Sequence, residues 1–360
     1  MRWLQLEADY GRRAASDRVR GVPCTARAGS IGDRAPVRAQ GRVHSVFPRA
    51  CNIETCAGGL VTLLAWDLGN VPHGIRLTAP VAPFDSWLGP GQSAILDSLA
   101  LGVPETGITV DLSAAVVFRG DVTAVSINPC SNDQGGTASA MALHELRATL
   151  IERGPEQGFA PLLAAPARAR TLIERAFAAR ISHTLPLLAR ATERRDIPAV
   201  VAAAGRLVGL GPGLTPSGDD FIAGYLGALW SRAGFDRGID AMLPSLAAAL
   251  APLFLRTHAI SRQMLDDAAQ GRFAERLIDV THTIARARDV RAASARALAS
   301  GHSSGADTLC GLLFGYAPDM VLQAKPTDPS GAARNRVPAR YRLRNRDHLM
   351  QPENRSCQPL

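Results

Sequence analysis

Apolar positions recur along this chain with two different spacings, and the change comes once. Between residues 41 and about 130 the runs GRVHSVFP, GLVTLLAWDL, HGIRLTAP and ITVDLSAAVVFRG are short, rich in Val, Ile and Thr, and closed by Gly, Pro or Asn. β-branched residues in short runs between turn formers predict strands. From about 139 to 320, Ala, Leu and Arg take over at helical spacing. Helices are predicted over Ala140–Arg153, Pro166–Arg180, Ile197–Leu207, Pro216–Arg232, Ser245–Gln270 and Ala306–Tyr316, with one or two more in 271–300 and breaks at Gly and Pro. The pattern predicts an α+β fold, with an N-terminal β-rich unit over 41–135 packed against a mostly α-helical unit over 136–324. Residues 1–40 and 325–360 lack a core of their own and are expected to be poorly ordered basic extensions.

Two helix starts in the second unit share one small chemistry. GLGPGLTPSGDD at 209–220 and GHSSGAD at 301–307 each run into an apolar segment, and Ser217, Gly218, Asp220 and Gly224 fall on Ser304, Gly305, Asp307 and Gly311 at an offset of 87 residues. Thr215 is the expected N-cap and Pro216 the first helical residue. From Phe221 to Trp230 almost no polar face remains, so this helix should be buried with its polar groups at its start. Gly209, Gly211 and Gly213 permit backbone conformations closed to other residues, and a helix N-terminus behind such a loop suits an anion. The competing reading is packing, in which Gly218, Gly224 and Gly227 let another helix approach closely.

Asp219, Asp220 and Asp307 suit a helix N-terminus but would repel an anion. A divalent cation such as Mg²⁺, an arginine, a substrate amide or N–H donors would each settle their charge, and only the first makes a metal site. In RTHAISRQML, Thr257 and Ser261 are four apart and share a face if helical; they either complete a polar pocket or bond to the preceding turn. His302, beside Ser303 and Ser304, can act as an acid, a base or a cap. The residue chemistry therefore nominates Asp219, Asp220, Asp307 and His302 as catalytic candidates. Gly211, Gly213, Thr215, Ser217, Gly218, Thr257, Ser261, Ser303, Ser304 and Gly305 are the binding candidates. Metal-dependent hydrolysis by the three aspartates with His302 is a further reading. A Ser217–His302–Asp220 hydrolase is disfavoured because the G-x-S-x-G elbow is missing.

GLGPGLTPSGDDFIAG, the Thr257 to Ser261 pair and GHSSGADTLCGLL together resemble the AllH family, and the likeness runs from about Gly41, through GRVHSVFPRACNI and GNVPHGI, to about residue 322. The resemblance implies a subunit of oxamate carbamoyltransferase, which in anaerobic allantoin breakdown converts oxalurate and phosphate to oxamate and carbamoyl phosphate beside FdrA-like and AllG-like subunits. It implies a small anionic carbamoyl or phosphate substrate, expected at the two helix starts. The alternative is a noncatalytic assembly or regulatory subunit of an FdrA-containing complex.

Composition narrows the partners. The chain has 360 residues, 46% of them hydrophobic, enough for a sizeable core. Its formal charge of +8 is a matter of the ends: residues 1–42 and 325–360 each carry +5, leaving −2 between them, so a nucleic-acid groove on the body is not expected. Lys325 is the single lysine, which removes Walker-type and Schiff-base chemistry from the body and leaves backbone N–H, hydroxyls or arginine to hold an anion. The six cysteines at 24, 51, 56, 130, 310 and 357 show no zinc spacing and read as free thiols, with Cys310 in the core. Neither a signal peptide nor a membrane span is evident, so a cytoplasmic location is expected.

Overall fold

The structure, a computed structural model, describes residues 25–122, 134–164 and 171–322. The strand-forming runs give β1 (Thr25–Gly32), β2 (Ala39–Val46), β3 (Ala50–Thr55), β4 (Leu60–Leu64), β5 (Gly74–Leu77), β6 (Ser93–Leu96), β7 (Ala100–Val103), β8 (Ile108–Asp111) and β9 (Val116–Phe118). β1 closes the sheet into a barrel. It pairs antiparallel with β5 on one edge, through Ala28 with Leu77 and Ile31 with Ile75, and its first three residues pair parallel with β8 on the other edge. The remaining order runs β5, β4, β3, β2, β6, β7, β8, and β9 lies parallel beside the end of β1. Closure hides strand edges that would otherwise stay unpaired. Alternate residues then point inward, and Val43, Cys51, Ile53, Val61, Leu63, Ile75, Leu101 and Val110 fill the interior.

Residues 25–40 correct the expected N-terminal extension, because they supply β1 and the start of β2. The alternation in Thr25–Gly32 is carried by Ala and Ser, whose small side chains give little apolar signal. Residues 1–24 and 323–360, with Cys24, Lys325 and Cys357, lie outside the described residues, as does Cys130.

The helical region contains α1 (Gln134–Arg153), α2 (Leu172–Arg194), α3 (Ile197–Ala204), α4 (Ser217–Ala233), α5 (Arg237–Phe254), α6 (Ala259–Ala269), α7 (Glu275–Ala285), α8 (Val290–Leu298), α9 (Ser304–Tyr316) and α10 (Pro318–Leu322). Thr171 and Glu174 form a reciprocal capping box that starts α2, and the helix continues past Pro186, well beyond the predicted end at Arg180. Its predicted first residues, 166–170, are outside the described set. Asp196 and Asp236 cap α3 and α5 through their side chains. The helix predicted over Ser245–Gln270 is two, broken at 255–258, and 271–300 yields α7 and α8.

α4 and α9 form the centre. Every residue of α4 from Ser217 to Leu229 is buried, and α9 is buried from Gly305 to Asp307 and again from Leu309 to Tyr316. Barrel and helices meet through the GNVPHGI segment. The Asn70 N–H and amide both donate to Glu275 Oε2, at 2.8 and 2.9 Å, and His73 lies 3.0 Å from Asp267. Its neighbours add Leu60 N–H to Gln263 and Phe273 N–H to the Gly120 carbonyl. This second family motif is thus a docking strip between barrel and helices. Among the described residues no helix is long and apolar enough to cross a membrane.

Candidate functional site

The two helix starts identified by the 87-residue offset lie against one another. A Cβ on Gly224 would sit 1.8 Å from the Thr308 carbonyl oxygen, and one on Gly311 would sit 1.9 Å from that of Phe221. These contacts map onto each other under the same offset, so α4 and α9 cross backbone to backbone about a local two-fold relation. Only glycine permits this approach. The packing reading of Gly224 is therefore correct. Gly218 is packed the same way, with a Cβ 2.0 Å from the Leu207 carbonyl oxygen, and its counterpart Gly305 meets that of Ala297 at 2.1 Å.

This crossing brings the polar residues together in a crossed pattern. The hydroxyl of Ser304 lies by the carboxyl of Asp220 and that of Ser217 by the carboxyl of Asp307, each opposing the rise of that acid's pKa. Each serine serves the aspartate of the other helix. Thr215 adds a hydroxyl to Asp220 and stands 2.8 Å from Ser304 Oγ, and Ser303 adds one to Asp307. Thr215 does not cap α4, contrary to expectation: Pro216 occupies the N-cap without a side-chain bond, and the threonine hydroxyl is drawn to the second motif instead. Ser303 holds the N-cap position of α9, also without a capping bond.

The three aspartates differ in their surroundings. Asp219 is fully buried and satisfied, accepting from the Gly209 N–H at 2.7 Å through Oδ1 and from the Thr257 hydroxyl through Oδ2. Ser261 donates to the Leu214 carbonyl at 3.3 Å. The Thr257 and Ser261 pair therefore clamps the glycine loop rather than bonding to the preceding turn. Thr257 also lies outside α6, whose N-cap is His258, so the two hydroxyls do not share a helix face.

Asp220 and Asp307 are 2% and 0% exposed, and Oδ2 of each has no hydrogen-bond partner. Burial raises the Asp220 pKa well above its ordinary value, with the nearby charges of Asp307 and Asp219 adding to the effect against the opposing serine and threonine bonds. Burial likewise raises Asp307 to about 6, opposed by the Phe159 N–H and two serine hydroxyls. Both shifts favour the un-ionised carboxyl, which for Asp307 holds up to a pH of about 6.

Sequence reasoning missed the segment that covers Asp307. Phe159 donates its N–H to Asp307 Oδ1 at 2.7 Å while its ring stacks on Phe221 of α4 at 4.4 Å, so one residue bridges both helices. Gly158, at φ 77°, gives that loop room, since a Cβ there would lie 2.2 Å from Asp307 Oδ1. The signal available was a lone glycine before an aromatic.

Above these acids the glycine loop reaches solvent. Gly209, Gly211 and Gly213 have φ of 76°, 116° and 96°, Gly301 repeats the feature at 64°, and Pro212, Gly213 and Leu214 are exposed. His302 is exposed on the adjoining turn and outside the crossed serine and aspartate group. Ser217 is directed to Asp307, so the Ser217–His302–Asp220 arrangement is not formed. Among the described residues no three His, Cys, Asp or Glu side chains gather to hold a metal ion. Cys51, Cys56 and Cys310 are free, with Cys310 buried in α9 as expected. Arg49, one of the basic residues near the motifs, is engaged by Asp67 at 2.6 Å.

No solved structure matches the chain. The two halves of the architecture each match a family model: the barrel, over residues 26–117, matches the AllH family N-terminal domain, and the paired glycine motifs, within residues 207–316, match the oxamate carbamoyltransferase subunit AllH. With more than half of its length covered by these two models, the chain belongs to the AllH family.

Proposed function

We propose that this chain is the subunit of an oxamate carbamoyltransferase that binds substrate at its twin helix starts, where oxalurate and phosphate are converted to oxamate and carbamoyl phosphate. Family membership supports a carbamoyltransferase subunit and hence a multisubunit complex. FdrA-like and AllG-like chains are the partners in this reading, and the cytoplasm is the location. The observation that carries the site assignment is the pair of buried carboxyl oxygens, Asp220 Oδ2 and Asp307 Oδ2, left without partners beneath two glycine-lined helix N-termini.

Backbone N–H groups of the Gly211 to Ser217 segment and of the turn before α9 face an anion with the positive ends of two helix dipoles. They hold the phosphate or the oxalurate carboxylate. An un-ionised carboxyl is both donor and acceptor, the complement of a ureido group. Asp220 in this state orients the carbamoyl end. In transfer, a phosphate oxygen bonds to the carbamoyl carbon, the bond from that carbon to the amide nitrogen breaks, and Asp220 supplies the proton the oxamate nitrogen takes up.

The test is transfer by the assembled enzyme carrying Asp220→Asn. Activity should fall about 100-fold or more, in the range that removal of a general acid produces, with the melting temperature kept. Undiminished transfer would refute the role. The noncatalytic reading draws on Asp219, Thr257 and Ser261, which are mutually satisfied. It requires Asp220→Asn and Asp307→Asn to affect assembly alone.

A further inference from the structure

A surface cavity of about 430 Å³ opens between α2 and α3, away from the crossed serine and aspartate group. Arg190, Arg194 and Arg206 line it, over a floor that includes Ala191, Ala199 and Ala203. Arg190 and Arg194 are one turn apart on α2 and share a face. Arg195, at φ 56°, ends that helix, and the chain turns at once into α3, whose end is followed by Arg206. The space exists because the facing positions are alanine; leucine at these places would fill it. Its volume lies in the range of pockets that accept small ligands, about 300–1,000 Å³.

The charge of this cavity is unbalanced. Among the described residues the three guanidinium groups have no ion pair or hydrogen-bond acceptor, whereas the neighbouring Arg195 is paired with Asp236 at 2.9 Å. The one acid in the lining, Asp196, is already engaged in capping α3 through the Ala199 N–H at 3.1 Å. The three arginines are exposed around one concavity with Asp196 the one acid in its lining, and the guanidinium fork matches carboxylate and phosphate geometry. The alanine floor suits the non-ionised part of such a molecule. We infer that this cavity binds a small organic anion with at least two acidic groups, phosphate or carboxylate, on an apolar body.

The test is calorimetric titration of the full chain with pyrophosphate and, separately, citrate at fixed ionic strength. Saturable one-site binding is expected with at least one probe, and the better probe identifies the acidic group. Arg190→Gln with Arg194→Gln should weaken it at least tenfold. Ala199→Leu, which fills the floor without changing charge, should weaken it as well. Arg175→Gln with Arg180→Gln, an equal charge change on the same helix, should leave it within twofold. Asp220→Asn should also leave it unchanged, which separates this cavity from the twin helix starts. Absence of saturable binding by both probes, equal weakening by the two arginine pairs, or loss of binding in Asp220→Asn would each overturn the inference.

Discussion

The start of α4 and the start of α9 carry the same serine, glycine and aspartate but are held in place by different means. The first has a long glycine loop, and Asp219 ties it down through Gly209 and Thr257. The second has a short turn with Ala306 at the position matching Asp219, and its own acid, Asp307, is fixed from outside by Phe159. What the two share is the crossed placement of Ser304 by Asp220 and Ser217 by Asp307, together with the orphaned Oδ2 on each acid. Among the polar groups, one that repeats under the offset is a candidate for ligand chemistry, and one found on one side only is a support. In the proposed function, Asp219, Thr257 and Ser261 are then supports, and Asp220 with Asp307 the proposed functional pair.

The largest effects should strike the shared crossing. Gly224→Ala and Gly311→Ala each drive a methyl into a carbonyl of the opposite helix, and each should cost about 3 kcal/mol or more in denaturant unfolding. Similar losses in the two variants would confirm the local two-fold relation, and a loss in one alone would break it. Next comes the one-sided support. Asp219→Ala leaves a buried N–H and a hydroxyl without acceptors and should cost about 2 kcal/mol, whereas Thr257→Val removes a single donor and should cost less.

The acids themselves should show in the pH dependence of stability. The folded Asp307 pKa is raised from 3.8 to about 6. Below pH 3.8 both folded and unfolded forms are protonated. As the pH climbs from there to about 6, the unfolded chain releases this proton and the folded chain keeps it, so stability falls. Asp307→Asn should remove that part of the decline, and an unchanged slope over this window would contradict a protonated acid at this position. The smallest effect belongs to the hydroxyl contact. Thr215→Val and Ser304→Ala should each cost about 1 kcal/mol, and the double variant less than their sum, because they share one bond.

The chain disclosed the chemistry of the pair better than its geometry. Sequence offset alone matched Asp220 with Asp307, because both motifs are local and run into apolar helices. Their crossed placement was not legible, since Ser217 and Asp307 are 90 positions apart and only the tertiary approach of α4 and α9 brings them together. The same reason explains Thr215, a sound N-cap by local rules whose hydroxyl is taken by Ser304. Continuous apolar spacing through 245–270 concealed the break at 255–258, where Thr257 turns to meet Asp219. In the barrel, strand runs from 41 onward were visible from composition, but closure depends on β1, whose weak Ala and Ser pattern gains meaning only from its long-range pairing with β5 and β8.

The most direct test of the paired acids is titration of the purified chain with carbamoyl phosphate, comparing the native protein with Asp220→Asn and Asp307→Asn. The account predicts saturable binding that both substitutions weaken, with Asp219→Asn acting only through stability. Binding unaltered by either substitution, or none in the native chain, would contradict a ligand site at the twin helix starts.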